Sequence, residues 1–150
     1  MGKGANKCGS SISLQVDLPG TNGVVNPVTP GVIDEAARKA YLNGQCAALA
    51  IALQERLGGS IVAIGYDDEN DDYEAWHQSP VYSHVGLALK NGSVIDIEGA
   101  HELEEWMEHH NCWEETVLTE QQALSLSQFP SQEISTARLT ANALLSSLQY

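Results

Sequence analysis

Apolar residues recur with helical spacing in two consecutive segments of the first half of the chain. The first segment predicts a helix over about 33–42, ending at Asn43-Gly44, a common helix C-terminal signal. The second predicts a helix over about 45–57, in which nearly every position is apolar or small. A helix that is apolar on all sides is buried. We therefore expect the second helix to lie at the centre of the fold.

The segments that follow this helix have the short apolar runs of strands. Residues 60–66 are rich in β-branched and small apolar side chains and predict a buried strand. Residues 82–90 and 93–98 flank Asn91-Gly92, a dipeptide typical of β-hairpin turns. We therefore predict a hairpin after the buried strand.

The register of this hairpin follows from its hydrophobic pattern. A two-residue turn would place Leu87 opposite Asp96, whereas a three-residue turn with Gly92 in the left-handed conformation places Leu87 opposite Ile95. Burial of one face fixes register strongly. The three-residue turn forms one apolar face and is therefore the prediction. It puts His84 and Asp96 on the other face as diagonal neighbours.

The rest of the chain completes an α+β pattern. Residues 1–31 are rich in glycine and proline and predict an irregular leader with one short strand over 12–18. Residues 32–150 are expected to form the main domain. Its second half is predicted to hold helices over about 101–110 and 131–148, a short strand near 116–118, and a short helix after a capping box of Thr119 and Gln122.

The charge balance excludes one large class of partners. Seven Lys and Arg against 20 Asp and Glu give a net charge of −13 on 150 residues. Nucleic-acid binding needs a basic surface, which this composition does not supply. No apolar run is long enough to span a membrane, and the N-terminal residues lack the apolar core of a secretory signal. We expect a cytoplasmic protein with reduced thiols at Cys8, Cys46 and Cys112.

Cys46 holds the most suggestive position of the three cysteines, because it opens the predicted central helix. The positive end of the helix dipole favours a thiolate. If the helix packs on the polar face of the hairpin, where Gly86 and Ala88 leave room, His84 would act as the base and Asp96 would orient it. A single cysteine on an apolar helix is more often a small core residue. The prediction therefore depends on these three residues coming together.

Further residues complete this candidate site. The backbone N–H groups of Cys46 and Ala47 lack acceptors within the helix and would hold an oxyanion, with the Gln45 side chain as a candidate donor. Trp76 and His77 lie in an acidic segment, about 67–80, and are candidate substrate-binding residues.

A known family has a similar set of residues. Residues 41–50 around Cys46, a strand opening with His84, and Asp96 resemble the papain-like cysteine hydrolase fold, which includes peptidases, amidases and transglutaminase-like enzymes. Residues 83–92 are similar to the histidine strand of NlpC/P60-like enzymes. The resemblance implies a buried helix that bears the cysteine, packed on a small antiparallel sheet with C-terminal helices.

We therefore predict a thiol-dependent hydrolase that acts through Cys46, His84 and Asp96 and needs no cofactor. It would cleave a peptide, isopeptide or side-chain amide of a protein or peptide substrate. The negative net charge of the chain favours a cationic substrate. A deamidase or an acyltransferase using the same triad is the nearest alternative. A non-enzymatic acidic protein-binding module is the alternative from another class.

No metal site is expected. The acidic residues 67–72 lack the glycine and glutamate that complete a calcium loop at the required spacing. A zinc site is not expected either, because adjacent histidines diverge and no second cysteine pair is present. The residues concerned, assigned instead to a solvated helix face, are His101, His109, His110 and Cys112.

Overall fold

The structure of the chain, a computed structural model, describes residues 12–16, 24–65, 82–125 and 132–148. Cys8, Trp76, His77 and the acidic segment lie outside these ranges. Within them, the helices are α1 (Glu35–Leu42), α2 (Cys46–Leu57), α3 (Leu103–His109), α4 (Glu120–Leu124) and α5 (Ile134–Ser147). The strands are β1 (Ile12–Val16), β2 (Val24–Val28), β3 (Ser60–Gly65), β4 (Tyr82–Ala88), β5 (Ser93–Asp96), β6 (Gly99–Glu102) and β7 (Glu114–Leu118).

The strands form two antiparallel sheets. Five of them pair in the order β6-β5-β4-β3-β7, and β1 pairs with β2 in a separate hairpin. Together with the helices, these sheets make an α+β fold, which confirms the predicted class. No helix in the described ranges has the length and apolar character needed to cross a membrane.

Helix α2 lies at the centre, as predicted. Its first eight residues are all buried. One side packs on the sheet against Ile61, Ala63 and Val85. The other side packs with α5 and the β1–β2 hairpin, in a cluster that includes Leu49 and Ala141. An apolar surface on every side is therefore matched by protein contacts on every side.

The β4–β5 hairpin has the register that its hydrophobic pattern predicts. Leu87 lies opposite Ile95, and Ala88 lies opposite Val94. Gly92 has a φ of 92°, which suits glycine in a three-residue turn. The turn is closed by a hydrogen bond from Leu89 N–H to the Ser93 carbonyl.

Two strands were not predicted. The leader contains β2 as well as β1, although β2 carries Pro27. Proline is tolerated there because neither strand of this sheet is central. The buried Asn26 Nδ2 donates to the Ala36 carbonyl at 2.9 Å and ties β2 to α1. Strand β6 was missed because its four residues show no apolar alternation. The following helix consequently begins at Leu103, two residues later than expected.

Candidate active site

His84 and Asp96 lie side by side on one face of the β4–β5 hairpin. The His84 Nε2 atom is 2.9 Å from Asp96 Oδ2, and both side chains are 2% exposed. His84 begins the buried part of β4, and Asp96 ends β5. The structure thus brings together two of the three residues predicted to form a triad.

Asp96 is the acceptor for several further groups, which with it form what we call the Asp96 cluster: Asp96, His84, His101, Trp106 and His110. Trp106 Nε1 donates to Oδ2 at 2.8 Å, and His101 Nε2 lies 3.2 Å from Oδ1. The Glu98 backbone N–H also donates to Oδ1. Burial acts to raise the pKa of Asp96, but the side chains of His110, His84 and Trp106 outweigh it and hold that pKa well below its usual range.

His84 is held in one neutral form. A carboxylate can only accept, so the Nε2 atom that faces Asp96 carries the proton. Burial lowers the pKa of His84, against the opposing effect of Asp96, so the ring is neutral at pH 7. Its Nδ1 atom is then a lone-pair acceptor, and this atom is buried without a hydrogen-bond partner. The imidazole therefore has an unused basic nitrogen.

Cys46 opens α2, as predicted. The backbone N–H groups of Val85, Cys46 and Ala47 act to lower the pKa of the thiol. Burial outweighs them and raises this pKa to about 12. The expectation of a thiolate at the helix N-terminus is therefore wrong for this structure, because the helix end is enclosed by protein.

Cys46 packs beside Val85 of β4 in one buried cluster. The thiol therefore lies against the strand that carries His84, next to the residue that follows His84 in the sequence.

Helix α2 does not pack on the predicted face of the hairpin. Val85 lies in the cluster with Cys46, so the neighbouring His84 points to the opposite face of the sheet. There it meets the rings of Trp106 and His110, with centroids at 5.5 and 4.4 Å. The space over Gly86 is filled by Trp106, because the apolar helix covers the more apolar face. The free Nδ1 atom shows that Cys46 makes no hydrogen bond to His84 here.

Gln45, the candidate oxyanion donor, joins two helix ends. Its side-chain oxygen accepts a hydrogen bond from Glu133 N–H at 3.0 Å, and the residue is fully buried. In a matching contact, the Gln132 side chain accepts from Ala48 N–H at 2.9 Å and donates to the Gly44 carbonyl. These contacts fix the start of α2 against the start of α5. Trp76 and His77, the candidate substrate-binding residues, lie outside the described residues.

Sequence reasoning missed Trp106, His101 and His110 as members of the site. His101 and His110 were assigned to a solvated helix face, which is wrong because both face Asp96. The sequence contained a signal for two of these three residues. Trp106 and His110 are four residues apart, and such pairs share one face of a helix. The strand β6, which brings His101 to Asp96, had no signal.

Two groups of described residues have donor atoms close enough to hold a metal ion. The first is His84, Asp96 and His110, and the second is Glu98, His109 and His110. In each group the donor atoms lie within 4.8 Å of one another. The first group is mostly buried, and the second is mostly exposed.

Comparison of the chain with protein-family models, with curated proteins and with solved structures found no match.

Proposed function

We propose that the chain is a thiol-dependent hydrolase of the papain-like kind, with Cys46 as nucleophile, His84 as general base and Asp96 as the residue that orients the base. One observation carries the proposal. Cys46 packs in one cluster with Val85, the residue next to a neutral histidine whose Nε2 is bound to Asp96 and whose Nδ1 is unused. The base and its orienting group are thus in contact, and the nucleophile packs against the strand that carries the base, on the other face of the sheet.

The proposed reaction uses these residues in turn. His84 Nδ1 accepts the thiol proton as the sulfur attacks the carbonyl carbon of an amide. The negative charge on the carbonyl oxygen is stabilised by the N–H groups of Cys46 and Ala47. His84 returns the proton to the leaving nitrogen, and a thioester to Cys46 remains. Water, deprotonated by the same nitrogen, then hydrolyses the thioester and restores the thiol.

The described arrangement is a resting form of this site. A thiol with a pKa of about 12 is protonated at pH 7, so its proton must be removed during the attack rather than before it. Because Cys46 and His84 lie on opposite faces of the sheet, the start of β4 must rearrange to bring His84 Nδ1 to the sulfur before it accepts that proton. Distances between catalytic groups are often long before substrate binds.

The bond that is cleaved is a peptide, isopeptide or side-chain amide. The molecule that accepts the acyl group from the Cys46 thioester distinguishes the hydrolase from its closest alternatives. Water acting on a side-chain amide gives a deamidase, and an amine acceptor gives an acyltransferase. The net charge of −13 favours a cationic protein or peptide as substrate.

Trapping the acyl-enzyme tests this proposal. The chain is treated with p-nitrophenyl acetate, and acetylated cysteines are identified by peptide mass spectrometry. We expect acetylation of Cys46, slowed about 100-fold or more in His84→Gln, which keeps the side-chain size but removes the base. Cys112→Ala is the matched control and keeps the rate. Acetylation of Cys46 at equal rates with and without His84, or none in the folded chain, contradicts the proposal.

The alternative function, an acidic binding module, is favoured by a separate observation. A concave surface of about 520 Å³ beside α3 is lined largely by glutamates, among them Glu102, Glu105, Glu108 and Glu115. A module of this kind would keep its affinity for a cationic peptide in Cys46→Ala and lose it with rising salt. The hydrolase would lose turnover in the same variant.

A further inference from the structure

We propose that His84, Asp96 and His110 form a binding site for Zn²⁺. Their donor atoms, His84 Nε2, Asp96 Oδ2 and His110 Nε2, come from β4, β5 and the residue that follows α3. Two imidazoles and one carboxylate are a ligand set that zinc accepts, with a fourth position left for water. The inference rests on these three residues and does not depend on the thiol.

Two of the three separations between the donor atoms suit a tetrahedral ion, and the third is at most 4.8 Å. Asp96 Oδ2 lies 2.9 Å from His84 Nε2 and 3.7 Å from His110 Nε2. Zinc–ligand bonds of about 2.0–2.1 Å at tetrahedral angles put neighbouring ligand atoms roughly 3.3–3.4 Å apart. Both observed separations lie within about 0.5 Å of this tetrahedral value. Small side-chain shifts therefore admit the ion.

An unpartnered nitrogen points to the same position. His110 Nε2 is buried without a hydrogen-bond partner, although it lies 3.7 Å from a carboxylate oxygen. A buried polar atom without a partner costs free energy. A zinc ion between this nitrogen and Asp96 would satisfy it. The His110 side chain is 16% exposed, so the cluster is not sealed from solvent.

The remaining contacts of Asp96 would act as an outer shell. Trp106 Nε1 donates to the same Oδ2, and Glu98 N–H and His101 Nε2 lie at Oδ1. Outer partners of this kind orient a ligating carboxylate and strengthen metal binding. The carboxylate is therefore fixed before an ion arrives.

Zinc would change which nitrogen of His84 carries the proton. Binding at Nε2 displaces the proton from that atom, and the neutral ring then carries it at Nδ1. No net proton is gained or lost in this exchange. Resting on the proposed function, one consequence follows: Nδ1 can no longer accept the Cys46 proton, so zinc inhibits acylation.

Binding is measured first, without reference to activity. The full chain is titrated with Zn²⁺ in competition with a chromogenic chelator, in excess Mg²⁺ to occupy carboxylate-only sites. Co²⁺ is used in parallel, because its visible absorption distinguishes four-coordinate from six-coordinate sites. We expect one zinc per chain and a four-coordinate cobalt spectrum.

Two matched variants locate the ion. His110→Phe keeps a ring beside His84 but removes the ligand, and we expect affinity to fall by more than about 100-fold, beyond the loss of an outer-shell partner. His109→Phe changes the neighbouring histidine, which is 65% exposed and belongs to the other group, and should keep affinity within about twofold. Urea unfolding of both variants checks that they fold.

Three outcomes overturn the site: no zinc binding by the parent chain, equal loss in both variants, or a six-coordinate cobalt spectrum. Cys46→Ala should bind zinc like the parent. If zinc binds but acetylation of Cys46 never occurs, the hydrolase proposal fails and the metal site stands. If acetylation occurs and zinc does not bind, the metal site fails and the hydrolase proposal stands.

Discussion

His84 donates a 2.9 Å hydrogen bond to Asp96 at a point in the sheet where both side chains are 2% exposed. The two residues are 12 positions apart and are joined because the three-residue turn sets the register of β4 and β5. The same carboxylate oxygen accepts the indole N–H of Trp106. One buried carboxylate thus links the hairpin to the helix that covers it.

Replacing this carboxylate should destabilise the fold strongly. In Asp96→Asn the amide keeps the shape but cannot accept all the donors around it, and leaving buried donors unpaired costs about 3–5 kcal/mol. Urea denaturation measures the loss. The control is Glu104→Gln, an exposed change on α3, which should alter the free energy of unfolding by less than about 0.5 kcal/mol.

Stability should fall as the pH is lowered. Folding lowers the pKa values of both Asp96 and His84. In the unfolded chain these values are about 6.5 for histidine and about 3.9 for aspartate. As the pH falls below each of them, the unfolded chain binds more protons than the folded chain. Each group then contributes a slope of up to about 1.4 kcal/mol per pH unit. Urea titrations from pH 8 to 3 measure it.

The aspartate contribution can be separated from the rest. In Asp96→Asn the slope below about pH 4 should become shallower than in the parent chain, because the group with the lowered pKa is gone. An unchanged acid slope in that variant would contradict the assignment of this effect to Asp96.

Gly86 should not tolerate a side chain. A Cβ atom there would lie 2.8 Å from Cζ2 of Trp106 and 3.0 Å from Cγ1 of Val94. Gly86→Ala is therefore expected to cost about 1–3 kcal/mol, as overpacking does. Because the clash is with the indole, combining it with Trp106→Phe should cost less than the two changes added together. Thermal unfolding of the single and double variants tests this, and simple additivity would contradict it.

Iodoacetamide brings no acyl group to the site and should not draw His84 to the sulfur, so Cys46 should react with it slowly in the folded chain. A thiol with a pKa of about 12 carries roughly a thousandfold less thiolate at pH 8 than a free cysteine with a pKa of about 8.5. The rate, followed by mass spectrometry, should rise to that of a free thiol when the chain is unfolded in urea. Fast alkylation in the folded chain would show that the sulfur is not enclosed as described.

The parts of the fold that the sequence predicted are those with a repeated pattern. The apolar character of α2 identified the central helix, and one apolar face fixed the register that places His84 beside Asp96. The capping box of Thr119 and Gln122 correctly located α4. Each of these features depends on residues close together in the sequence.

The sequence did not show which helix packs on which face of the sheet, and that prediction was wrong. The local pattern around Gly86 indicated room for a helix but not which one, and Trp106 of α3 occupies it. The lowered thiol pKa was inferred from the helix end alone, whereas burial, which depends on the whole fold, determines it. His101 could not be placed because β6 has no apolar alternation, whereas the spacing of His110 from Trp106 was a signal that was not used.

The contacts between Gln45 and Glu133, and between Gln132 and Ala48, join segments separated by more than 80 positions of chain. During synthesis on the ribosome, the start of α2 therefore cannot be fixed in place until the chain has emerged as far as Glu133. Contacts of such long sequence separation form slowly, because the intervening chain must be ordered first. A nascent or truncated chain would leave this end of α2 without its partners. The thiol environment is thus among the last parts of the molecule to mature.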